Sequence, residues 1–185
     1  MLEPSSVDTL VKVCSYYRDA ELRGSNLLFR MLRMVDDPES QMSLSEHLAD
    51  ETRHAWLWTK RIRDLGRSPV QVDDGYQVRI GRRAGIPRNV VDLFALTVVV
   101  EQRALRRYRE HLGRPDLDAE TREVLELVTK DEGWHIDWMR RKGRELAHKE
   151  GDPERFDAAL RRFRQIDGEV MEELADVERS LDCRA

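Results

Sequence analysis

Two five-residue stretches of this chain have the residue types and spacing of metal ligands: Asp50-Glu51-Thr52-Arg53-His54 and Asp131-Glu132-Gly133-Trp134-His135. Both read D-E-x-x-H. Inside a helix, residues three apart share a face. Glu51 with His54, and Glu132 with His135, therefore each aim one carboxylate and one imidazole at one spot. A lone glutamate precedes each stretch on its own helical pattern, Glu21 30 residues before Glu51 and Glu101 31 before Glu132. The offset between the halves is nearly constant: 80 residues from Glu21 to Glu101, and 81 both from Glu51 to Glu132 and from His54 to His135. Four converging carboxylates are strongly unfavourable in a core unless cations neutralise them, and two divalent ions do so. The pattern reads as a duplicated helix pair building one two-metal site. Two metals about 3.5–4 Å apart can take O2 or peroxide between them, so the expected chemistry is oxygen or peroxide activation.

Five long helices must position these residues. The first runs from about Ser6 to Val35, capped by Ser5 or Ser6, with Leu10, Cys14, Tyr17, Glu21, Gly24 and Leu28 on its inner stripe. A glutamate among apolar neighbours needs a partner. Asp37 as cap and Pro38 at the first position start the second helix. So short a turn makes helices one and two antiparallel neighbours. The second helix runs to Leu65, with Leu44, Leu48, Glu51, His54, Ala55, Trp58 and Ile62 inward, and stops at Gly66. A connection from about Gly66 to Arg88, rich in glycine and proline and without a strong apolar period, is long enough to cross a bundle. The third helix spans about Asn89–His111 and the fourth about Asp118–His148. Val98-Val99-Val100 is β-branched, but the pattern around it is helical and too long for a strand. A fifth helix, from Pro153 to about Leu181, carries Phe156, Leu160, Phe163, Ile166, Val170, Leu174, Val177 and Leu181 at spacings of three and four. That stripe must cover either the bundle or a second subunit. The expectation is one all-α domain over residues 1–185, with a core bundle at 6–148 and a C-terminal helix at 153–181.

Composition agrees with a solvated helical bundle. Of 185 residues, 37% are charged and 6% aromatic, and the net charge of -4 gives no general attraction to nucleic acid. Cys14 and Cys183 form no C-x-x-C pair, which argues against a disulfide scaffold, a zinc ribbon or a rubredoxin-type centre. No charged-then-apolar leader opens the chain and no run approaches membrane-spanning length, so the expectation is a cytoplasmic protein away from membranes.

With both D-E-x-x-H segments and both lone glutamates placed, the chain resembles the ferritin-like di-iron carboxylate superfamily over about residues 8–148. The resemblance implies a four-helix bundle with one long crossover between helices two and three, here extended by the long fifth helix. It implies two iron ions, with manganese suited to the same donors. The ligands would be Glu21, Glu51, His54, Glu101, Glu132 and His135, Glu51 and Glu132 bridging and Glu21 and Glu101 terminal. Bacterioferritins, ubiquinone-pathway hydroxylases, tRNA hydroxylases and rubrerythrin-like proteins share this ligand order. Where bacterioferritins carry a haem-ligating methionine, this chain has Thr52. Where rubrerythrins carry an extra glutamate, it has Ala104. Thr97-Val98-Val99-Val100-Glu101 followed by Tyr108 resembles the quinone hydroxylases, but the crossover holds Arg79, Arg82, Arg83 and Arg88 in place of their apolar membrane-associating surface.

Neighbouring residues complete the expectation. Asp50 and Asp131 would accept hydrogen bonds from the outward imidazole nitrogens of His135 and His54, the alternative being solvated charges. Tyr17 and Tyr108 either donate hydrogen bonds to the site or only pack. Gly24 and Ala104 leave room beside the metals or permit close helix approach. Trp56, Trp58, Trp134 and Trp138 read as core or interface packing. His47 reads as structural, too far along the helix axis for the metal pair, and His111 and His148 as surface residues. The arginines of the crossover, with Arg103, Arg106, Arg107 and Arg109, form a solvated face or meet an anionic substrate. The leading expectation is oxidation or hydroxylation of an unidentified small molecule by O2 or peroxide, with an external electron donor, in a homodimer or larger assembly. The alternatives are iron oxidation and storage, or a metal-stabilised bundle without catalysis.

Overall fold

A computed structural model describes residues 4–182, with side chains described for residues 7–175. The proposed Ser5 and Ser6 caps, Val177, Leu181 and Cys183 lie outside the described side chains. The described residues form six helices and no strand: α1 (Pro4–Leu32), α2 (Pro38–Asp64), α3 (Tyr76–Ala84), α4 (Val90–Leu112), α5 (Ala119–Lys149) and α6 (Arg155–Asp182).

Helix boundaries follow from local chemistry. Asp37 caps α2 by accepting a hydrogen bond from the Ser40 backbone N–H at 2.9 Å, with Pro38 inside the first turn. The free carbonyls at the end of α1 are met by the Gln41 side-chain amide, which donates to the oxygens of Leu32 and Val35. Gly66 follows α2 at φ 71°, a left-handed conformation that favours glycine. Asp118 caps α5 through the Thr121 N–H at 2.8 Å, and Asn89 caps α4 through the Val91 N–H at 2.8 Å.

The chain resolves into two compact units, and α4 and α5 each supply residues to both. Unit 1 comprises residues 1–72 and 101–138. It is a bundle of α1, α2, the second half of α4 and the first two-thirds of α5. Val11, Cys14, Tyr17, Trp58, Ile62, Tyr108, Leu125 and Val128 form its apolar core. Burial pushes the Cys14 thiol up to about 12, with the positive charge of Arg61 acting weakly against it. The largely buried Arg61 guanidinium ties the end of α2 to the start of α5, donating to Asp118 at 2.7 Å and to Thr121 at 2.9 Å.

Unit 2 comprises residues 73–100 and 139–185. It contains α3, a nine-residue helix inside the connection that the sequence pattern left without regular structure. Tyr76 and Ile80 are its buried residues, and Tyr76 donates its hydroxyl proton to Asp167 of α6 at 2.8 Å. The arginines of this segment are taken up in ion pairs. Arg79 and Arg82 pair with Asp74 at 2.6 and 3.2 Å, and Arg83 pairs with Glu169 at 2.7 Å and with Glu173. Along the described part of the α6 stripe, Phe156, Leu160, Phe163 and Val170 are buried by the chain itself, while Ile166 and Leu174 are half-buried. The Val98–Val100 segment is helical and buried, as the flanking pattern requires. No described helix is long and apolar enough to cross a membrane.

Candidate metal centre

All six residues singled out by type and spacing are buried in unit 1: Glu21, Glu51, His54, Glu101, Glu132 and His135. Glu21 comes from α1, Glu51 and His54 from α2, Glu101 from α4, and Glu132 and His135 from α5. Among the described residues, ligand atoms of Glu21, Glu51, His54 and Glu132 lie within 4.8 Å of one another, and so do those of His47, Glu51 and His135. Glu51 belongs to both groups; Glu101, expected as a ligand, belongs to neither, its Oε1 lying 3.0 Å from His47 Nε2.

The carboxylates face two directions. His54 Nδ1 is 3.9 Å from Glu21 Oε2 and 3.9 Å from Glu132 Oε1. His135 Nδ1 is 3.9 Å from Glu132 Oε2 and 3.9 Å from Glu51 Oε1. Glu132 thus turns one oxygen to each imidazole. With metal–ligand bonds of about 2.0–2.2 Å, two donors on one ion sit about 3–4 Å apart, which is the spacing of these pairs. Each imidazole is aimed by its other nitrogen. His54 Nε2 lies 3.0 Å from Asp131 Oδ2, and His135 Nε2 lies 3.2 Å from Asp50 Oδ2. Arg53 joins the two aspartates, 3.0 Å from Asp50 and 2.6 Å from Asp131. Burial works against the charge of Asp50, but the hydrogen bonds from Arg53 and His135 outweigh it and lower its pKa.

Burial, reinforced by the neighbouring carboxylates, raises Glu21 and Glu132 well above the ordinary carboxylate value. Burial also raises Glu51, against a lowering contribution from His47. Burial pushes His135 down to about 3, with the nearby charge of His47 acting in the same sense. Tyr108, whose own pKa burial and the Glu21 charge raise, donates its hydroxyl proton to Glu21 Oε1. Tyr17 does not reach the carboxylates. Its hydroxyl lies 3.2 Å from His111 Nδ1 and its ring packs on Trp58 and Tyr108. His111 is accordingly half-buried rather than a surface residue, whereas His148 is exposed.

Gly24 has a definite steric role. A Cβ there would stand 2.5 Å from Glu51 Oε2, so only glycine lets this carboxylate lie against α1. Of the four tryptophans, Trp134 packs edge-on against His135 at 4.4 Å and Trp58 is fully buried, while Trp56 is 59% exposed. An open cavity of about 460 Å³ is lined by residues of α4 from Gln102 to Glu110 and by Gly133, Ile136 and Asp137 of α5. None of the six clustered residues lines it.

His47 corrects the expectation from sequence. It is not remote from the cluster: its ring stacks on His135 with centroids 3.6 Å apart, and its Nε2 lies 3.0 Å from Glu101 Oε1 and 3.6 Å from Glu51 Oε1. The i, i+4, i+7 spacing of His47, Glu51 and His54 was the available signal. Arg53, an unassigned position within D-E-x-x-H, had no comparable signal.

The donor set fits divalent metal ions. Glu51 Oε1, Glu101 Oε2, Glu132 Oε2, His54 Nδ1 and His135 Nδ1 are buried without a hydrogen-bond partner. Unpaired polar atoms are costly in a protein interior. Cations held by the two ligand groups would partner the unpaired atoms of Glu51, Glu132, His54 and His135.

The arrangement of helices is similar to a solved structure described as a dodecameric thioferritin, the bacterioferritin-related protein from Bacteroides fragilis. The TM-score is 0.62 at 20% identity, over 78% of this chain and 90% of that one. The fold is ferritin-like. No protein-family model and no curated protein sequence matches the chain. Within this ferritin-like bundle the buried carboxylates and imidazoles form a site that could hold metal.

Proposed function

We propose that the chain holds two iron ions and acts as a ferroxidase, oxidising ferrous iron with O2 or peroxide. The observation that carries this reading is the pair of overlapping ligand groups sharing Glu51, with Glu132 turned to both His54 and His135. Glu21 and His54 would hold one ion, and Glu101 and His135 the other. Glu51, which belongs to both ligand groups, and Glu132, which turns one oxygen to each imidazole, would be shared between them. Bound iron supplies electrons to the oxidant. With O2, two ferrous ions give up two electrons and two protons enter, yielding two ferric ions and hydrogen peroxide. With peroxide, the same electrons and protons yield water.

The protein's own residues set the conditions. Asp131 and Asp50 accept the Nε2 protons of His54 and His135, which leaves each Nδ1 lone pair facing the carboxylates. Arg53 holds both aspartates in place. Tyr108 holds one oxygen of Glu21, leaving the other free toward His54. The similarity to a thioferritin supports iron itself as substrate. Iron is then its own electron source, and no separate donor is required. The dodecameric state of the similar structure supports a closed homo-oligomer here.

The test is ferrous iron added to metal-free protein in air, with retained iron and ferric absorbance followed together. Rapid oxidation with retention of about two irons per chain or more is expected, and Glu132→Ala should remove it. Ferrous oxidation at the same rate in Glu132→Ala, or none in the parent protein, would overturn the proposal.

A further inference from the structure

The two halves of the cluster are not chemically equal. The 81-residue offset that relates His54 to His135 relates His47 to position 128, which is valine. Val128 is fully buried and apolar, so only one half of the repeat brings a third imidazole. His47 is itself fully buried, and both its ring nitrogens lack an aligned hydrogen-bond partner. Its Nε2 nevertheless lies 3.0 Å from Glu101 Oε1 and 3.6 Å from Glu51 Oε1, and its ring stacks on His135. A core site alone would favour an apolar residue such as the one at 128, so the imidazole is placed there for its nitrogen's approach to these carboxylates.

We propose that His47 is a ligand to the divalent transition-metal ion on the Glu101–His135 side, making the centre asymmetric: one imidazole at the Glu21 position, two at the other. This deepens the two-metal reading and rests on it. Imidazole raises affinity for later first-row ions relative to carboxylate alone. The Glu101–His135 position therefore fills first, and the two ions bind in separate steps. The other terminal carboxylate carries a different auxiliary, the Tyr108 hydroxyl on Glu21, which can donate a proton but not compete as an imidazole does.

High-spin cobalt(II) added to the metal-free full-length protein tests this without any turnover. Each cobalt-bound histidine gives a strongly shifted, solvent-exchangeable N–H signal in the proton NMR spectrum. One signal each from His47, His54 and His135 is expected in the parent protein, with the His47 signal lost in His47→Val. Calorimetric titration of the same variant should show the tighter step weakened by at least about 10-fold, the lower end of what losing a mere supporting partner costs a metal site. Signals from His54 and His135 alone in the parent protein would overturn the proposal and leave His47 as a partner of Glu101, with the metal centre intact. No cobalt bound at all would overturn the metal centre itself, and this proposal with it. Because the parent spectrum alone decides the count, a poorly folded variant does not rescue the idea.

Discussion

At the scale of single residues, Gly24 sets how closely Glu51 can approach α1. Replacing it with alanine puts a methyl group 2.5 Å from the Glu51 carboxylate oxygen, and the carboxylate must turn away. Gly24→Ala should weaken metal binding by roughly 10–100-fold, the range seen when the groups that orient ligands are lost. It should leave thermal stability of the metal-free protein nearly unchanged, because relieving the carboxylate crowding offsets the strain. Equilibrium titration with zinc and a melting curve without metal check both parts. The placement of the clustered residues was legible because an i, i+3 pair on a helix leaves no freedom about which face it shares. The approach of Asp50 to His135, and of Asp131 to His54, follows from the same register, one residue before each glutamate. The separation of His47 from the other ligands along the helix axis understates how close their side-chain atoms come. Helical side chains lean toward the N-terminus, so the Glu51 carboxylate reaches back a turn and meets His47 there. Arg53 was not legible at all, since a surface arginine between two ligands looks like any solvated charge.

At the scale of elements, the five long helices were readable from apolar periodicity, and their ends from Asp37-Pro38, Gly66 and Asp118. The short α3 was not. It buries only Tyr76 and Ile80, and its polar ties to α6, the Tyr76–Asp167 hydrogen bond and the arginine–carboxylate pairs, join residues some ninety positions apart, which local periodicity does not register. The α5–α6 contact has a steric centre of its own. A Cβ on Gly143 would lie 2.2 Å from the Phe156 ring. Gly143→Ala should therefore cost about 1–3 kcal/mol as an overpacking change. The melting temperature should drop while the number of metal ions bound stays as in the parent protein. A loss of binding at unchanged stability would contradict this account of the contact.

At the scale of the whole molecule, the metal-free chain carries an electrostatic debt that depends on pH. His47 is pushed up to about 10: burial opposes its charge, and the carboxylates of Glu101 and Glu51 outweigh it. A raised folded pKa contributes stability that is fully present below the ordinary value of 6.5 and is lost as pH rises toward 10. The raised Glu21, Glu51 and Glu132 act in the same sense from about 4.5 upward. His135, lowered to about 3, acts oppositely, with its contribution present above 6.5 and lost as pH falls toward 3. The melting temperature of metal-free protein should therefore fall between pH 6.5 and about 9.5, by about 2–4 °C for each kcal/mol lost in a chain of this size. Saturating zinc should flatten that slope, because the ions replace the proton as counter-charge. A flat profile without metal would show that the carboxylates and His47 are not charged as described. The buried thiol of Cys14 gives the same molecule a clock. It stands in the unit 1 core beside Tyr17 and Trp58 and is not reactive while the core is shut. In a chain whose Cys183 is replaced by serine, the rate of alkylation counts the openings of that core. Comparing rates with and without bound ions would measure how far metal slows its breathing.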